Sequence, residues 1–272
     1  MLFLLHSAGS GARLIYSLLS ALGKVRRGGG RIPIPPNLRD ALYLLSTLIL
    51  SIPPRTIRLA SNILRTPVVI WTDAMWENST ASRAAFGGIG AVVWLPPGHP
   101  MARARGRFLY GARTVGAAAF EFAGRDRDLI GQAELVAAVS PYISLPNGTL
   151  TDWPVIHFVD NSSALYGLVK GSSSVASCWV IIQAFLVANL ALRAQVWFNY
   201  VASKANIADL PSRGAISEMG EVLSGILPDF SLSDDVFDMR FPPCGDVQEV
   251  WAELLPRAGG SRPRSHRSRT RG

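Results

Sequence analysis

Cysteines, histidines and long apolar runs are scarce in this sequence. Two cysteines and four histidines occur among the 272 residues, and they form neither a Cys-x-x-Cys pair nor a Cys/His cluster. A structural zinc site and a disulfide scaffold are therefore not expected. A strongly apolar stretch covers residues 41–52, but a membrane-spanning helix needs about 20 residues. We therefore predict a buried helix there and no association with a membrane.

Positive charge is abundant and unevenly distributed. The formal net charge is +8, and six arginines lie in the Gly/Ser/Pro/Arg tail at residues 257–272. Such a tail cannot bury enough apolar surface to fold, so we predict that it is disordered. Basic proteins usually bind polyanions, of which nucleic acid is the commonest. Charge alone leaves a solvated tail without a partner equally open.

Composition and periodicity divide the rest of the chain into three segments. Residues 1–62 contain two helical patterns, at 11–24 and 37–52. Residues 63–215 alternate between strand and helix patterns and have the apolar content for a core. Residues 216–256 form a weakly patterned acidic extension. We therefore predict one globular domain, at 63–215, with flanking elements on either side.

The central domain begins with strand patterns and continues with alternating helices and strands. The first predicted elements are strands at 67–73 and 87–97 and a third strand within the region 107–122. A helix from Leu129, a strand at 155–160 and a short helix from Asn161 follow. The last elements are a long helix capped by Ser172–Ser174, a strand at 194–201 and a short closing helix. This order predicts an α/β fold with a mixed sheet, in which an antiparallel meander precedes parallel crossovers.

Four acidic residues stand where predicted strands end or helices begin. Asp73 and Asp160 close the first and fourth strands, Glu134 lies one turn into its helix, and Asp209 follows the last strand. Neighbouring strand ends would bring such carboxylates together. Phosphodiester hydrolysis by two metal ions needs converging carboxylates of this kind, because Mg²⁺ prefers carboxylate oxygens.

Each acid also has a simpler explanation. Asp160 could cap the following helix, which is the better interpretation for that residue alone. Asp73 could equally belong to an Asx turn. Glu134 could be a solvated helix charge, and Asp209 could begin a turn. The residues taken one by one leave these alternatives open.

Four segments, in this order, resemble the ribonuclease H domains of retroelement reverse transcriptases. They are TDAMWENSTASRAAFGGIGAVVW, GQAEL, FVDNSSALYGLVKG and YVASKANIADLPSRG. They resemble the family's opening Asp strand, its Glu helix, its strand-end Asp, and its closing N-x-x-A-D-x-x-S-R segment. The resemblance implies a ribonuclease H-like fold, a five-stranded mixed sheet flanked by helices. It also implies that Asp73, Glu134, Asp160 and Asp209 are the catalytic residues and the ligands of two Mg²⁺ or Mn²⁺ ions.

The activity that this resemblance implies is endonucleolytic hydrolysis of the RNA strand of RNA–DNA hybrids. Ser79, Asn161, Lys204 and Arg213 are the candidates for contacts with nucleic acid, since the family binds its substrate through the backbone. For Ser79 and Lys204 an ordinary surface role is the preferred interpretation. Many family members also carry a histidine near the last Asp, and here VASKANIAD has none.

Residues 1–62 resemble the stretch that joins a polymerase thumb to ribonuclease H in such elements. A polymerase domain is therefore a candidate partner, although the chain has no polymerase palm. The alternative to an active nuclease is a catalytically silent module that binds nucleic acid or packs against a polymerase. Compartment is not assigned by any feature of the sequence.

Overall fold

The computed structural model describes residues 65–117, 119–120 and 129–222. The helices predicted before residue 63, most of the extension after residue 215 and the arginine-rich tail lie outside the described residues. Within the described part of the chain, no helix combines the length and the apolar character that crossing a bilayer requires.

The described residues form five strands and five α-helices. The strands are β1 (Val68–Glu77), β2 (Phe86–Leu95), β3 (Arg107–Gly116), β4 (Pro154–Val159) and β5 (Gln195–Tyr200). The helices are α1 (Ile130–Ser144), α2 (Ser162–Lys170), α3 (Ala176–Leu192), α4 (Asp209–Ser212) and α5 (Ile216–Val222), and a short 3-10 helix lies at Ser203–Ala205.

The five strands form one mixed sheet in the order β3-β2-β1-β4-β5. The first three strands are antiparallel neighbours, whereas β1, β4 and β5 run parallel. Short loops suffice for the antiparallel pairs, and the parallel pairs need the helical crossovers that the sequence supplies. The expected α/β fold class, a five-stranded mixed sheet flanked by helices, is confirmed.

The main core lies between the sheet and helices α1 and α3. Val68 and Ile70 of β1 point to this side and are fully buried. Almost every residue of α1 from Gln132 to Tyr142 is buried, because the helix packs against both β1 and α3. A helix that is apolar on nearly all sides belongs in an interior.

The opposite face of the sheet carries a smaller apolar cluster under α4 and α5. Val92, Tyr110, Ala208 and Met219 are its buried members. Trp71 packs at its margin and stacks on Phe158 of β4, with ring centroids 5.7 Å apart. This second cluster fixes the short helix α4 against the sheet.

Two predictions about where elements begin or end differ from the structure. Strand β1 does not end at Asp73 but continues to Glu77, because its pairing with β2 continues to that residue. Strand β3 occupies Arg107–Gly116, within the region 107–122 that was expected to contribute it. The predicted serine cap of the long helix is also wrong, since Val175 is the N-cap residue and no side chain caps α3.

A buried histidine connects β4 with β1 and α1 at the centre of the core. His157 of β4 is hydrogen bonded through Nε2 to Thr72 Oγ1 of β1, at 2.9 Å, and through Nδ1 to the Tyr142 hydroxyl of α1, at 3.1 Å. Burial lowers the pKa of His157 to about 3, so the ring is neutral at physiological pH. His157 is therefore a structural residue of the core.

Candidate metal centre

Asp73 and Asp160 stand where strands β1 and β4 separate. The two strands are paired as far as Thr72 and Val159, and the two aspartates are the next residue along each strand. Asp73 remains paired with Gly90 of β2 and is only 5% exposed. Asp73 thus lies within the sheet, and Asp160 lies directly after the last residue of β4.

Glu134 of α1 completes a cluster of three acids. One carboxylate oxygen from each of Asp73, Glu134 and Asp160 lies within 4.8 Å of those of the other two. The three side chains come from a strand interior, a helix and a strand end that are far apart in the sequence. The structure therefore brings together three of the four acids that the sequence singled out.

The simpler explanations for these three acids are wrong. Asp73 lies inside a strand and not in a turn. Glu134 is buried rather than solvated. Helix α2 is capped by Asn161, whose Oδ1 accepts a hydrogen bond from the Ala164 backbone amide at 3.0 Å, and not by Asp160.

The cluster is electrostatically unfavourable for ionised carboxylates. Burial, and to a smaller extent the charges of Asp73 and Asp160, raises the pKa of Glu134 to about 9, although a hydrogen bond from the Ala74 backbone lowers it in part. Burial also raises the pKa of Asp73 to about 7; Asp160 and Asp209 add to this, while the Ser212 hydrogen bond opposes it. A cation among these oxygens would reverse both shifts.

The oxygen atoms of the cluster fit a divalent hard cation. Glu134 Oε2 and Asp160 Oδ1 are buried, and neither has a hydrogen-bond partner among the described residues. Buried polar atoms are nearly always satisfied in native proteins. Carboxylate oxygens without nitrogen or sulfur ligands nearby are the donor set of Mg²⁺ and Mn²⁺. These two atoms would be satisfied by such an ion.

Asp209 lies beside the cluster and not within it. Its Oδ1 accepts a hydrogen bond from Arg213 Nε at 2.7 Å, one turn further along the chain. This hydrogen bond is the main cause of a raised pKa of the Arg213 guanidinium. The charge of Asp209 nevertheless raises the pKa of Asp73, so the two carboxylates interact across the site.

Ser212 was not singled out as a site residue from the sequence. Its hydroxyl donates a hydrogen bond to Asp73 Oδ2, and its side chain is buried. Ser212 belongs to the closing NIADLPSRG segment that resembles the family, but the resemblance assigned no role to it. What brings it to Asp73 is a contact between residues 139 positions apart, which no local pattern reveals.

Helix α4 reaches this position because it lies directly on two glycines of β2. A Cβ atom on Gly88 would come within 1.8 Å of the Ser212 carbonyl oxygen. A Cβ atom on Gly90 would come within 2.4 Å of the Ser212 backbone nitrogen and 2.5 Å of the Ala208 carbonyl oxygen. The GGIG segment therefore permits an approach that any side chain would block.

The candidates for nucleic-acid contact lie outside the acidic cluster. Asn161 follows Asp160 directly, and its side chain is committed to the cap of α2. Arg213 is exposed next to the site and pairs with Asp209. Ser79, in the loop after β1, and Lys204, in the 3-10 helix after β5, are both exposed. Their part in binding stays a prediction.

Two solved structures are similar to this chain. One is a type 1 RNase H with the type 2 active-site motif, at 13% identity and a TM-score of 0.38, over 71% of this chain and 87% of that one. The other is the N-terminal RNase H domain of a Mycobacterium tuberculosis protein, fused to maltose-binding protein. It is 15% identical at a TM-score of 0.34, over 57% of this chain and 96% of that one. No protein-family model and no curated protein matches the chain.

Proposed function

We propose that this protein is a ribonuclease H-type endonuclease that hydrolyses the RNA strand of RNA–DNA hybrids with two divalent metal ions. The observation that carries the proposal is the convergence of Asp73, Glu134 and Asp160, each of which offers a carboxylate oxygen within 4.8 Å of the others. Mg²⁺ or Mn²⁺ is the cofactor that these oxygens fit.

The four acidic side chains would have different roles in binding metal at such a site. Asp73, Glu134 and Asp160 would hold metal, and Asp209 would hold a second ion more loosely from its partly exposed position beside Arg213. Paired ions of this kind supply an activated water and neutralise charge on the leaving oxygen. The burial of Asp73 and Glu134 strengthens their electrostatic interactions, because water does not screen them.

Substrate would be bound through its backbone around this site. Arg213 is a cation at the rim, and Asn161 stands at the N-terminus of α2 immediately after Asp160. Lys204 and Ser79 lie on surface segments that follow β5 and β1. Contacts of these types hold phosphate and sugar groups without reading base identity.

The domain is part or relic of a retroelement reverse transcriptase. The support is the resemblance of four ordered segments, from the Asp73 strand to the Asp209 helix, to the ribonuclease H domains of such elements. A polymerase domain is accordingly the protein partner, and the segment before residue 63 is where the two would join.

Cleavage of a labelled RNA–DNA hybrid by the full chain in Mg²⁺ tests the function. We expect cleavage of the RNA strand alone, with duplex DNA and single strands left intact, and no cleavage in EDTA. Asp73→Asn is expected to be inactive. Asp152→Asn is the matched control, because Asp152 is an exposed acid that pairs with Arg193 and is not one of the three clustered acids, and it should retain full activity.

Two results would contradict this proposal. Hybrid binding that persists in EDTA, without any cleavage in Mg²⁺ or Mn²⁺, would identify a catalytically silent binding module. Cleavage that survives Asp73→Asn would assign the activity to another site or to a contaminant.

A further inference from the structure

We propose that Ser212 is a positioning residue, whose hydroxyl fixes the Asp73 carboxylate in the orientation that binds metal. The inference rests on the proposed metal-dependent function and adds a residue that does not itself contact the ion. It is carried by three structural features: the hydrogen bond to Asp73, the placement of helix α4 on two glycines, and a second acceptor, the Asp209 carbonyl, beside the same hydroxyl.

The first feature is the contact itself. Ser212 Oγ donates to Asp73 Oδ2, and both residues are buried, at 2% and 5% exposure. A carboxylate held at one oxygen cannot rotate freely about its Cβ–Cγ bond, so the direction of its second oxygen is set as well. Groups that orient metal ligands in this way contribute strongly to metal affinity.

The second feature is that two glycines of β2 allow the backbone of Ser212 to pack directly on the sheet. Gly90 is the register partner of Asp73, and a side chain there would collide with the Ser212 backbone nitrogen, 2.4 Å from the added Cβ. Gly88 makes the same kind of room for the Ser212 carbonyl. Gly90 therefore lies level with Asp73, Gly88 lies two residues away along β2, and Ser212 packs over both.

The third feature is a second acceptor within reach of the same hydroxyl. Ser212 Oγ lies 2.9 Å from the Asp209 carbonyl oxygen, three residues earlier in the chain. The hydroxyl therefore lies between the Asp73 carboxylate of β1 and the backbone of helix α4, so its position is fixed relative to both.

The test is Mn²⁺ binding, measured by isothermal titration calorimetry on the full chain. We expect Ser212→Ala to weaken Mn²⁺ binding by about 10- to 100-fold. Because the variant also loses a buried hydrogen bond, circular dichroism is used to verify that its metal-free form is folded at the temperature of the titration. Ser212→Cys keeps nearly the same side-chain volume, but a thiol is a weak hydrogen-bond donor. This variant should therefore also bind Mn²⁺ more weakly, and it replaces Ser212→Ala in the test if the alanine variant does not fold. Ser212→Thr keeps the hydroxyl and should bind Mn²⁺ nearly as well as the unchanged chain.

Ser140→Ala is the matched control. Ser140 is equally buried, and its hydroxyl donates to the Val136 carbonyl at 2.6 Å within α1. Its loss removes a serine hydroxyl from the same core without touching the acidic cluster. Mn²⁺ affinity should therefore be unchanged in this variant.

The outcomes distinguish this inference from the function on which it rests. If the unchanged chain binds no Mn²⁺, the metal centre and the role of Ser212 are both wrong. If it binds Mn²⁺, and Asp73→Asn abolishes binding while Ser212→Ala and Ser212→Cys leave it intact, only the inference is wrong. A loss of equal size in Ser140→Ala would also overturn it, because the effect would then be general to the core.

Discussion

Gly90 faces Asp73 across the β1–β2 pair, and the side chain that Gly90 lacks is what admits helix α4 to the acidic cluster. The contact between Ser212 and the acidic cluster thus depends on a position with no side chain. Asp73 and Gly90 act together, because the space left at Gly90 allows Ser212 to reach the Asp73 carboxylate.

Gly90→Ala is expected to destabilise the fold and displace Ser212 from Asp73. The added Cβ would lie 2.4 Å from a backbone atom, and overpacking of this kind costs about 1–3 kcal/mol. Urea unfolding measures the loss. Gly116→Ala is the control in the same sheet, because a Cβ there meets no atom within 4 Å; equal stability of the two variants would show that α4 is not held against the glycines.

Without metal, stability is expected to fall as pH rises from about 4.5 toward 9. Glu134 has its pKa raised from 4.5 to about 9, and Asp73 from 3.8 to about 7. The unfolded chain ionises first, so the folded state retains protons that the unfolded state has lost. Stability then decreases, by at most about 1.4 kcal/mol per pH unit for each group. Denaturant unfolding at several pH values, in EDTA, should show this decline, and Mg²⁺ should reduce it.

Glu134→Gln should increase folding stability in the absence of metal and abolish metal binding. The neutral amide removes the ionisation that burial disfavours, so we expect the variant to be more stable than the unchanged chain in EDTA at pH 8. Its Mn²⁺ affinity should nevertheless be lost. Glu77→Gln is the control, because Glu77 is an exposed acid paired with Arg83 and should alter neither property. If Glu134→Gln is less stable than the unchanged chain at pH 8, ionisation of Glu134 does not destabilise the metal-free fold, and the prediction is wrong.

Tyr142→Phe is expected to cost about 1–3 kcal/mol, the usual effect of leaving one buried polar group unsatisfied. The change removes the hydroxyl hydrogen bonded to His157 Nδ1 and leaves that nitrogen without its 3.1 Å partner. Thermal or urea unfolding gives the value. Tyr166→Phe removes a hydroxyl from a side chain that is 71% exposed, and its stability should not change.

Arg213→Gln should weaken hybrid binding about equally for all sequences and lower its dependence on salt. One lost phosphate contact reduces the slope of log affinity against log salt by about 1. Fluorescence anisotropy at several salt concentrations, in EDTA, provides the slopes. Arg193→Gln removes another exposed arginine that pairs with an aspartate, and an identical slope change in both variants would indicate nonspecific charge rather than a contact at the site.

The fold could be predicted from the sequence because its signals are local. Short apolar runs mark β1 and β4 as buried strands, and the helix expected from Asn161 does begin there, with Asn161 as its N-cap. The order of elements then limits the sheet to few arrangements. Asp73 and Asp160 were found because they follow the apolar runs of two strands expected to be neighbours, and Glu134 because GQAEL resembles the Glu helix of the family.

What the sequence did not predict depends on partners that are distant in the chain. The true end of β1 is set by its pairing with β2, whose last pair is Glu77 with Phe86. The role of Ser212 depends on packing against Gly88 and Gly90. The hydrogen bonds of His157 likewise need tertiary geometry, since alternation could place this residue in the core without naming its partners.

The interior location of Asp73 in β1 has a consequence for how this domain can diverge. Successive side chains of a strand point to opposite faces, so inserting or deleting one residue between Val68 and Asp73 would turn the carboxylate toward α1. A descendant sequence could then keep every acid and still lose the cluster. The register of this strand, as much as the identity of the acids, decides whether the three carboxylates meet.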